Sequence, residues 1–189
     1  MKIVARYSFN KGEETISPKY PKLIKEVQSI IARIDAGKCK TEKSRERSRR
    51  GKILYNLKAL NSAFNKEFVK CGWKNQRVPC EYPTQFYLPD YQPPRLSKGA
   101  FREMDFIKEK LGVEAQFGKY ASMICSICAK MTIFNKRGFI QAGIEIVPIK
   151  RFADQMSTGV SYFEQFVWDL EHRGVSDIDI PVLILGIDK

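Results

Sequence analysis

The sequence predicts an α/β domain in which a central mixed β-sheet is flanked by helices. Three observations predict it. The second half of the chain alternates strand-like with helix-like segments, and residues 181–187 form a continuous apolar run of the kind buried on both faces of a sheet. Residues 104–117 read as two short strands joined by a turn. A chain of 189 residues is long enough for one domain with a sizeable core, so a single unit over 1–189 is expected.

Along the chain, residues 1–9 read as an edge strand. Residues 18–35 place Leu23, Ile24, Val27, Ile30, Ile31 and Ile34 at helical spacing, with Gly37 as the stop. Residues 38–52 carry the densest charge run and have few apolar side chains to bury. That run suits either a solvated helix or loop, or an arm that contacts phosphates. Residues 61–71 read as a helix capped by Asn61 or Ser62, with Phe64, Phe68 and Val69 on one side. From 72 to 100 the pattern breaks. Pro79, Pro83, Pro89, Pro93 and Pro94 mark an irregular segment, centred on about 76–100, that is either a lid over a ligand or a proline-stiffened loop.

The hairpin follows, with strands at 104–108 and 113–117 and a turn at 109–112. Beyond it, 120–135 reads as a helix, 139–150 as a mostly buried strand closed by Pro148, and 160–172 as a helix with Phe163, Phe166, Val167 and Leu170 in register. No internal repeat is present.

Composition sets the partners. Lys and Arg number 33 against 21 acids, a formal charge of +12, which suits nucleic acid or an anionic membrane surface. No apolar run approaches the roughly 18 residues of a spanning helix, and the first residues lack a signal-peptide core, so a cytoplasmic protein without membrane contact is expected. Five cysteines at irregular positions argue against a secreted disulfide framework. Cys125 and Cys128 make a CxxC, but a zinc site needs two more ligands, and packing of both thiols in a helix core is the simpler reading. His172 is the single histidine. Catalysis by a His base, a nucleophile elbow or a phosphate-binding P-loop therefore finds no support, and carboxylates with a metal are left to carry any chemistry.

The hairpin supplies those carboxylates. Side chains alternate along a strand, so Glu114 and Gln116 share one face while Val113, Ala115 and Phe117 share the other. If the two strands are neighbours, Asp105 approaches Glu114, and the pair offers hard oxygen ligands to an ion such as Mg2+. By spacing alone, a polar edge hairpin with solvated acids is the commoner outcome of such a match.

Asp105, eight further residues, then Glu114, Ala115, Gln116, Phe117, Gly118, Lys119 and Tyr120 resemble the active-site block of type II restriction endonucleases of the BglII and BstYI kind. These are a branch of the PD-(D/E)xK nuclease fold in which glutamine stands where lysine is usual. The resemblance continues on both sides, at 39–41, 51–55, 65–68 and Gly72 with Trp73 before the hairpin, and at 143–148, 155–162 and 181–186 after it. It implies a restriction-endonuclease-like fold and a homodimer that binds double-stranded DNA and cuts both strands of a palindrome with a GATC core. It further implies Asp105 and Glu114 as ligands of Mg2+, Gln116 in the lysine's place, and, at the pair Asn75 and Gln76, where the match can slip by one residue, Gln76 as a further active-site polar residue. Lys119 and Tyr120 fall where a base-reading side chain is expected, and Ser157 and Thr158 resemble a second recognition element, although the same pair suits a helix cap before Val160. A repair or recombination nuclease using the same acids, or a non-catalytic DNA-binding relative, are the alternatives.

Overall fold

The computed structural model describes residues 1–80, 87, 89–90, 99–119, 126–175 and 179–189. The chain enters as strand β1 (Lys2–Phe9), whose side chains alternate between exposed and half-buried as an edge strand requires. Asn10 and Lys11 then take left-handed conformations, φ 48° and 58°, and turn the chain sharply into helix α1 (Gly12–Lys19). This helix was not foreseen, because it buries little besides Gly12 and Ile16. Gly12 makes the packing possible: a Cβ there would lie 2.1 Å from the Val182 carbonyl oxygen. Tyr20 interrupts the helical run expected over 18–35, and helix α2 (Pro21–Arg33) restarts with Pro21 at its first turn, where a missing N–H costs nothing. Leu23, Val27, Ile30 and Ile31 form its buried stripe.

The basic run becomes neither free helix nor free loop. Its flanks pair as the short strands β2 (Glu42–Lys43) and β3 (Ile53–Leu54), with a single 3-10 turn at Arg47–Arg49 between them. Helix α3 (Leu57–Lys70) begins earlier than expected. Its cap is Asn56, whose side-chain oxygen accepts from the Ala59 N–H at 2.9 Å, and not Asn61 or Ser62. The segment expected to be irregular from residue 72 opens instead with strand β4 (Lys74–Pro79), edge-paired to β5 (Phe101–Lys108). Most of the proline-rich stretch, 81–86, 88 and 91–98, lies outside the described residues.

Strands β5 and β6 (Leu111–Ala115) form the expected hairpin, and Glu109 and Lys110 both adopt positive φ, 49° and 70°, as a two-residue turn with primed geometry demands. Residues 120–125 lie outside the description, so only the end of the helix expected there is seen, as a π-helical turn, Ser126–Met131, running into α4 (Thr132–Lys136). Cys125 and the Cys128 side chain are likewise not described, which leaves the CxxC untested. Strand β7 (Ala142–Pro148), short helix α5 (Lys150–Ala153), helix α6 (Phe163–Arg173) and strand β8 (Val182–Asp188) complete the chain. Helix α6 begins three residues later than expected because Val160 bridges to Lys119 and Ser161 donates its N–H to the Gly118 carbonyl. Tyr162 precedes the helix without a side-chain cap, so Ser157 and Thr158 do not cap it.

The sheet runs β1-β8-β7-β6-β5-β4, with β6, β7 and β8 parallel and the outer pairings antiparallel. The foreseen mixed sheet flanked by helices is the observed architecture. Ile144, Ile146, Leu183 and Leu185 point to the layer of α1 to α3, whereas Val147, Val182 and Ile184 pack with Met131, Phe134 and Phe166 on the opposite face. Covered on both sides, β6, β7 and β8 are buried throughout. No described helix is long and apolar enough to cross a membrane.

Candidate active site

The site lies where the hairpin ladder stops. Strands β5 and β6 pair from Lys108 opposite Leu111 as far as Phe106 opposite Val113, and the next pair in that register is Asp105 opposite Glu114. There the two strands part. Side chains replace the missing ladder bonds: the Asp105 N–H donates to Glu114 Oε1 at 3.1 Å, and the Ala115 N–H donates to Asp105 Oδ2 at 3.3 Å. Meanwhile β6 stays on course beside β7, and the Gln116 N–H donates to the Ile146 carbonyl at 2.8 Å. Two carboxylates thus stand in the fork of a sheet held rigidly from one side.

A cavity of about 490 Å3 opens over the fork. Asp105, Glu114 and Gln116 line it, and Asn61 and Asn65 of α3 face them. The foreseen helix-cap residue Asn61 is therefore a wall of the cavity. Gln76, the fourth expected residue, does not line it; its amide donates to the Arg77 carbonyl at 3.0 Å. Asn75 lines it instead and donates to Glu103 at 2.9 Å. An irregularity in the β4–β5 pairing between Lys74 and Gln76 shifts the register there, and a shift of one residue exchanges the faces.

Two residues that the sequence reading did not single out complete the electrostatics. Glu145 of β7 is the register partner of Glu114 in the parallel ladder, and it is fully buried with neither carboxylate oxygen hydrogen-bonded. Lys130, in the π-helical turn, places Nζ 2.6 Å from Glu114 Oε2. Burial first, and the Asp105 charge second, push the Glu114 carboxyl up to about 8, against the pull of Lys130. Burial also pushes Glu145 well above the usual carboxylate range, with the Glu114 charge adding to it. Burial alone would lower the Lys130 ammonium, yet Glu114, Asp105 and Glu145 together raise it. The directions are consistent if Glu114, Glu145 and Lys130 titrate as a unit: the ammonium keeps its proton, and the two glutamates are held protonated to higher pH than usual. The signal for Glu145 was a lone charge inside the apolar run at 143–148; no sequence signal separated Lys130 from other basic residues.

The donor set fits a hard divalent cation. It offers oxygen ligands only, and its negative charge exceeds what one ammonium neutralises. Among the described residues no group of three or more His, Cys, Asp or Glu side chains converges as a metal site, so a cation here would draw on Asp105, Glu114 and water. His172 takes no part: it is exposed on α6, its ring stacked on Trp168 at 3.9 Å.

Lys119 and Thr158, two of the expected recognition residues, are in contact. Lys119 Nζ donates to the Thr158 carbonyl at 2.5 Å, and Gly159, at φ 83°, turns the chain there. Glu46 of the basic hairpin accepts from the Thr158 N–H at 2.7 Å and from its hydroxyl at 2.6 Å. Arg49 donates to the Met156 and Asp154 carbonyls at 2.6 and 3.1 Å. The hairpin between β2 and β3 is therefore fastened to the segment carrying Ser157 and Thr158, and its Lys43, Arg45, Arg47 and Arg50 line a wide groove. Tyr120 lies outside the described residues.

Comparison with known proteins gives the same picture. A family model described as restriction endonuclease BglII/BglIII matches residues 4–187. The chain is similar to restriction endonuclease BglII crystallised with a DNA 16-mer, with 21% identity and a TM-score of 0.73, covering 100% of this chain and 79% of that one. It is also similar to free BglII, with 20% identity and a TM-score of 0.62, covering 100% of this chain and 80% of that one. At such identities the structural likeness is one of fold. No curated protein sequence matches the chain.

Proposed function

Because the chain belongs to the restriction endonuclease BglII/BglIII family and is thus a type II site-specific nuclease, we propose that it cuts palindromic double-stranded DNA as a Mg2+-dependent homodimer. The observation that carries this reading is the fork at Asp105 and Glu114, where two carboxylates meet at the floor of an open cavity with Gln116 beside them. A bound Mg2+ on the two carboxylates would lower the pKa of an attacking water and offset charge on the phosphate.

The chain's own groups do the rest. Gln116 cannot act as a cation or as a base, so its amide orients the water or a phosphate oxygen by hydrogen bonding. Water oxygen bonds to phosphorus, the phosphorus–oxygen bond to the neighbouring sugar breaks, the water proton leaves to solvent or to an adjacent phosphate, and the leaving sugar oxygen takes a proton from solvent to become a hydroxyl. Two-fold protein symmetry matches a two-fold site, so one such fork acts on each strand. Lys119 is the candidate to read guanine O6 and N7 in a GATC-centred site, with Tyr120, Ser157 and Thr158 as its companions. Thr158 gives its hydroxyl proton to Glu46, which leaves its lone pairs for a base amino group.

The test is a digest of a plasmid of known sequence with and without Mg2+, followed by end sequencing. Discrete fragments that share a GATC centre and need the metal are expected from the wild type and not from Glu114→Ala. Full activity in Glu114→Ala would sink the reading.

A further inference from the structure

We propose that Lys130 is a catalytic residue with two stations: it is the counter-ion of Glu114 in the free enzyme, and it moves onto the scissile phosphate once a divalent cation occupies the carboxylates. The inference rests on the nuclease reading above and adds a residue to it.

Three observations carry it. Lys130 is the only cationic side chain among the described residues lining the cavity, whereas Glu103, Asp105 and Glu114 all line it as acids. A phosphodiester brought to this fork meets the Asp105 and Glu114 carboxylates, Glu103 being paired with Arg77 at 2.5 Å, and Gln116 supplies no charge to offset them. Next, the contact of Lys130 with Glu114 uses Oε2, while Oε1 is taken by the Asp105 N–H. Oε2 is thus the freely usable ligand atom of Glu114, and the ammonium and a divalent cation compete for it. Finally, the ammonium is held on a long arm over a fixed base. Met131, next in the chain, is fully buried, and its sulfur fills the space that a side chain on Gly143 would take: a Cβ there would lie 2.4 Å from Met131 Sδ. Phe134 anchors the following turn in the same core. The Lys130 side chain itself stays one-fifth exposed at the cavity wall.

Displaced from Glu114 by the cation, the ammonium has two places to go, solvent or the incoming phosphate. A phosphate oxygen in the same cavity is the stronger partner for a compact point charge with three donors. No proton is transferred by Lys130 in this scheme. It neutralises charge that grows on the phosphate oxygens as water adds and the bond to the leaving sugar oxygen breaks.

The proposal separates metal binding from turnover, which a packing role would not. Lys130→Met and Lys130→Arg are compared with wild type by calorimetric titration of Mn2+ into the DNA-free protein, by DNA binding in Ca2+, and by single-turnover cleavage of the plasmid. For Lys130→Met we expect Mn2+ to bind tighter, on the order of tenfold, because its competitor is gone. Cleavage slows by about 100- to 1,000-fold, the usual loss on removing one donor to a developing charge, with DNA affinity nearly unchanged. Lys130→Arg restores the competitor, returns Mn2+ affinity towards wild type and recovers part of the rate. Wild-type cleavage rates in Lys130→Met, or weaker Mn2+ binding in it, overturn the proposal. So does a Lys130→Arg protein that matches Lys130→Met in both readouts, a result that holds even if the methionine variant folds poorly. A wild type that binds Mn2+ but cuts no duplex instead defeats the nuclease reading, and the Mn2+ titrations still report on Lys130 as the counter-ion.

Discussion

Replacing Glu145 by glutamine should make the metal-free protein more stable, and by an amount that grows with pH. The side chain is fully buried and neither oxygen has a hydrogen-bond partner, so its charged form has nothing to offset the loss of water. Its carboxyl is held well above the ordinary value of 4.5, chiefly by burial. The unfolded chain therefore ionises Glu145 first as pH rises, and the native state loses ground steadily until its own raised pKa is reached. The loss accumulates at up to about 1.4 kcal/mol per pH unit for as long as the unfolded chain is ionised at this position and the native side chain is not. Glutamine keeps the shape and removes the ionisation. Urea unfolding in EDTA, with wild type and Glu145→Gln compared at intervals from about pH 5 to pH 8, reads the difference. The curves should lie close at the acid end and diverge progressively as pH rises towards neutrality. A constant offset at every pH would refute the reasoning, because it would mean that Glu145 ionises alike in both states.

Other consequences are simpler. Gly12→Ala drives a methyl into the Val182 carbonyl at 2.1 Å, and should cost more than about 3 kcal/mol in a thermal melt or prevent folding. Asn56→Ala removes the side-chain cap of α3 and should cost about 1 kcal/mol in urea without changing the cleavage pattern. Glu46→Ala releases the Thr158 N–H and hydroxyl, and should raise cutting at sites altered in one base pair by about tenfold relative to the cognate site, measured on paired oligonucleotides. DNA affinity should fall with salt at a log-log slope near about −9 for a dimer touching roughly 10 phosphates, measured by fluorescence anisotropy.

Strand alternation made much of the site legible. Putting Glu114 and Gln116 on one face needs only a period of two, and the hairpin was legible too, although its turn is two residues, Glu109 and Lys110, where four, 109–112, were expected. What failed did so for local physical reasons. Gln76 lost its place to Asn75 because the β4–β5 pairing is irregular at that point, and periodicity cannot register a bulge before it is seen. Asn61 reads as a cap because asparagine favours helix starts, yet Asn56 holds that position and leaves Asn61 free to face the cavity. Helix α1 escaped notice because its contact with the sheet is made by a glycine and one isoleucine, and no apolar stripe announces it. Lys130 was invisible for a different reason. Its role depends on where a π-helical turn sets it across the sheet, and nothing in the spacing of one lysine among 33 basic residues encodes that.

The net charge of +12 and the acidity of the cavity pull in opposite directions, and their separation in space gives the enzyme its order of events. The basic side chains of the β2–β3 hairpin lie out on the groove, fastened through Glu46 and Arg49 to the segment carrying Thr158. They attract the duplex from a distance and act on any sequence alike. The fork sets Asp105 and Glu114 against the Lys130 ammonium, with the buried Glu145 behind them, while Glu103 is paired with Arg77. On the proposed mechanism, a phosphate rests on the surface without descending to the carboxylates until a cation has offset the charge of the cavity floor. Recognition through the outer surface and cleavage at the fork are in this way coupled by electrostatics alone. On the proposed mechanism, duplex bound without metal is held but not positioned for attack.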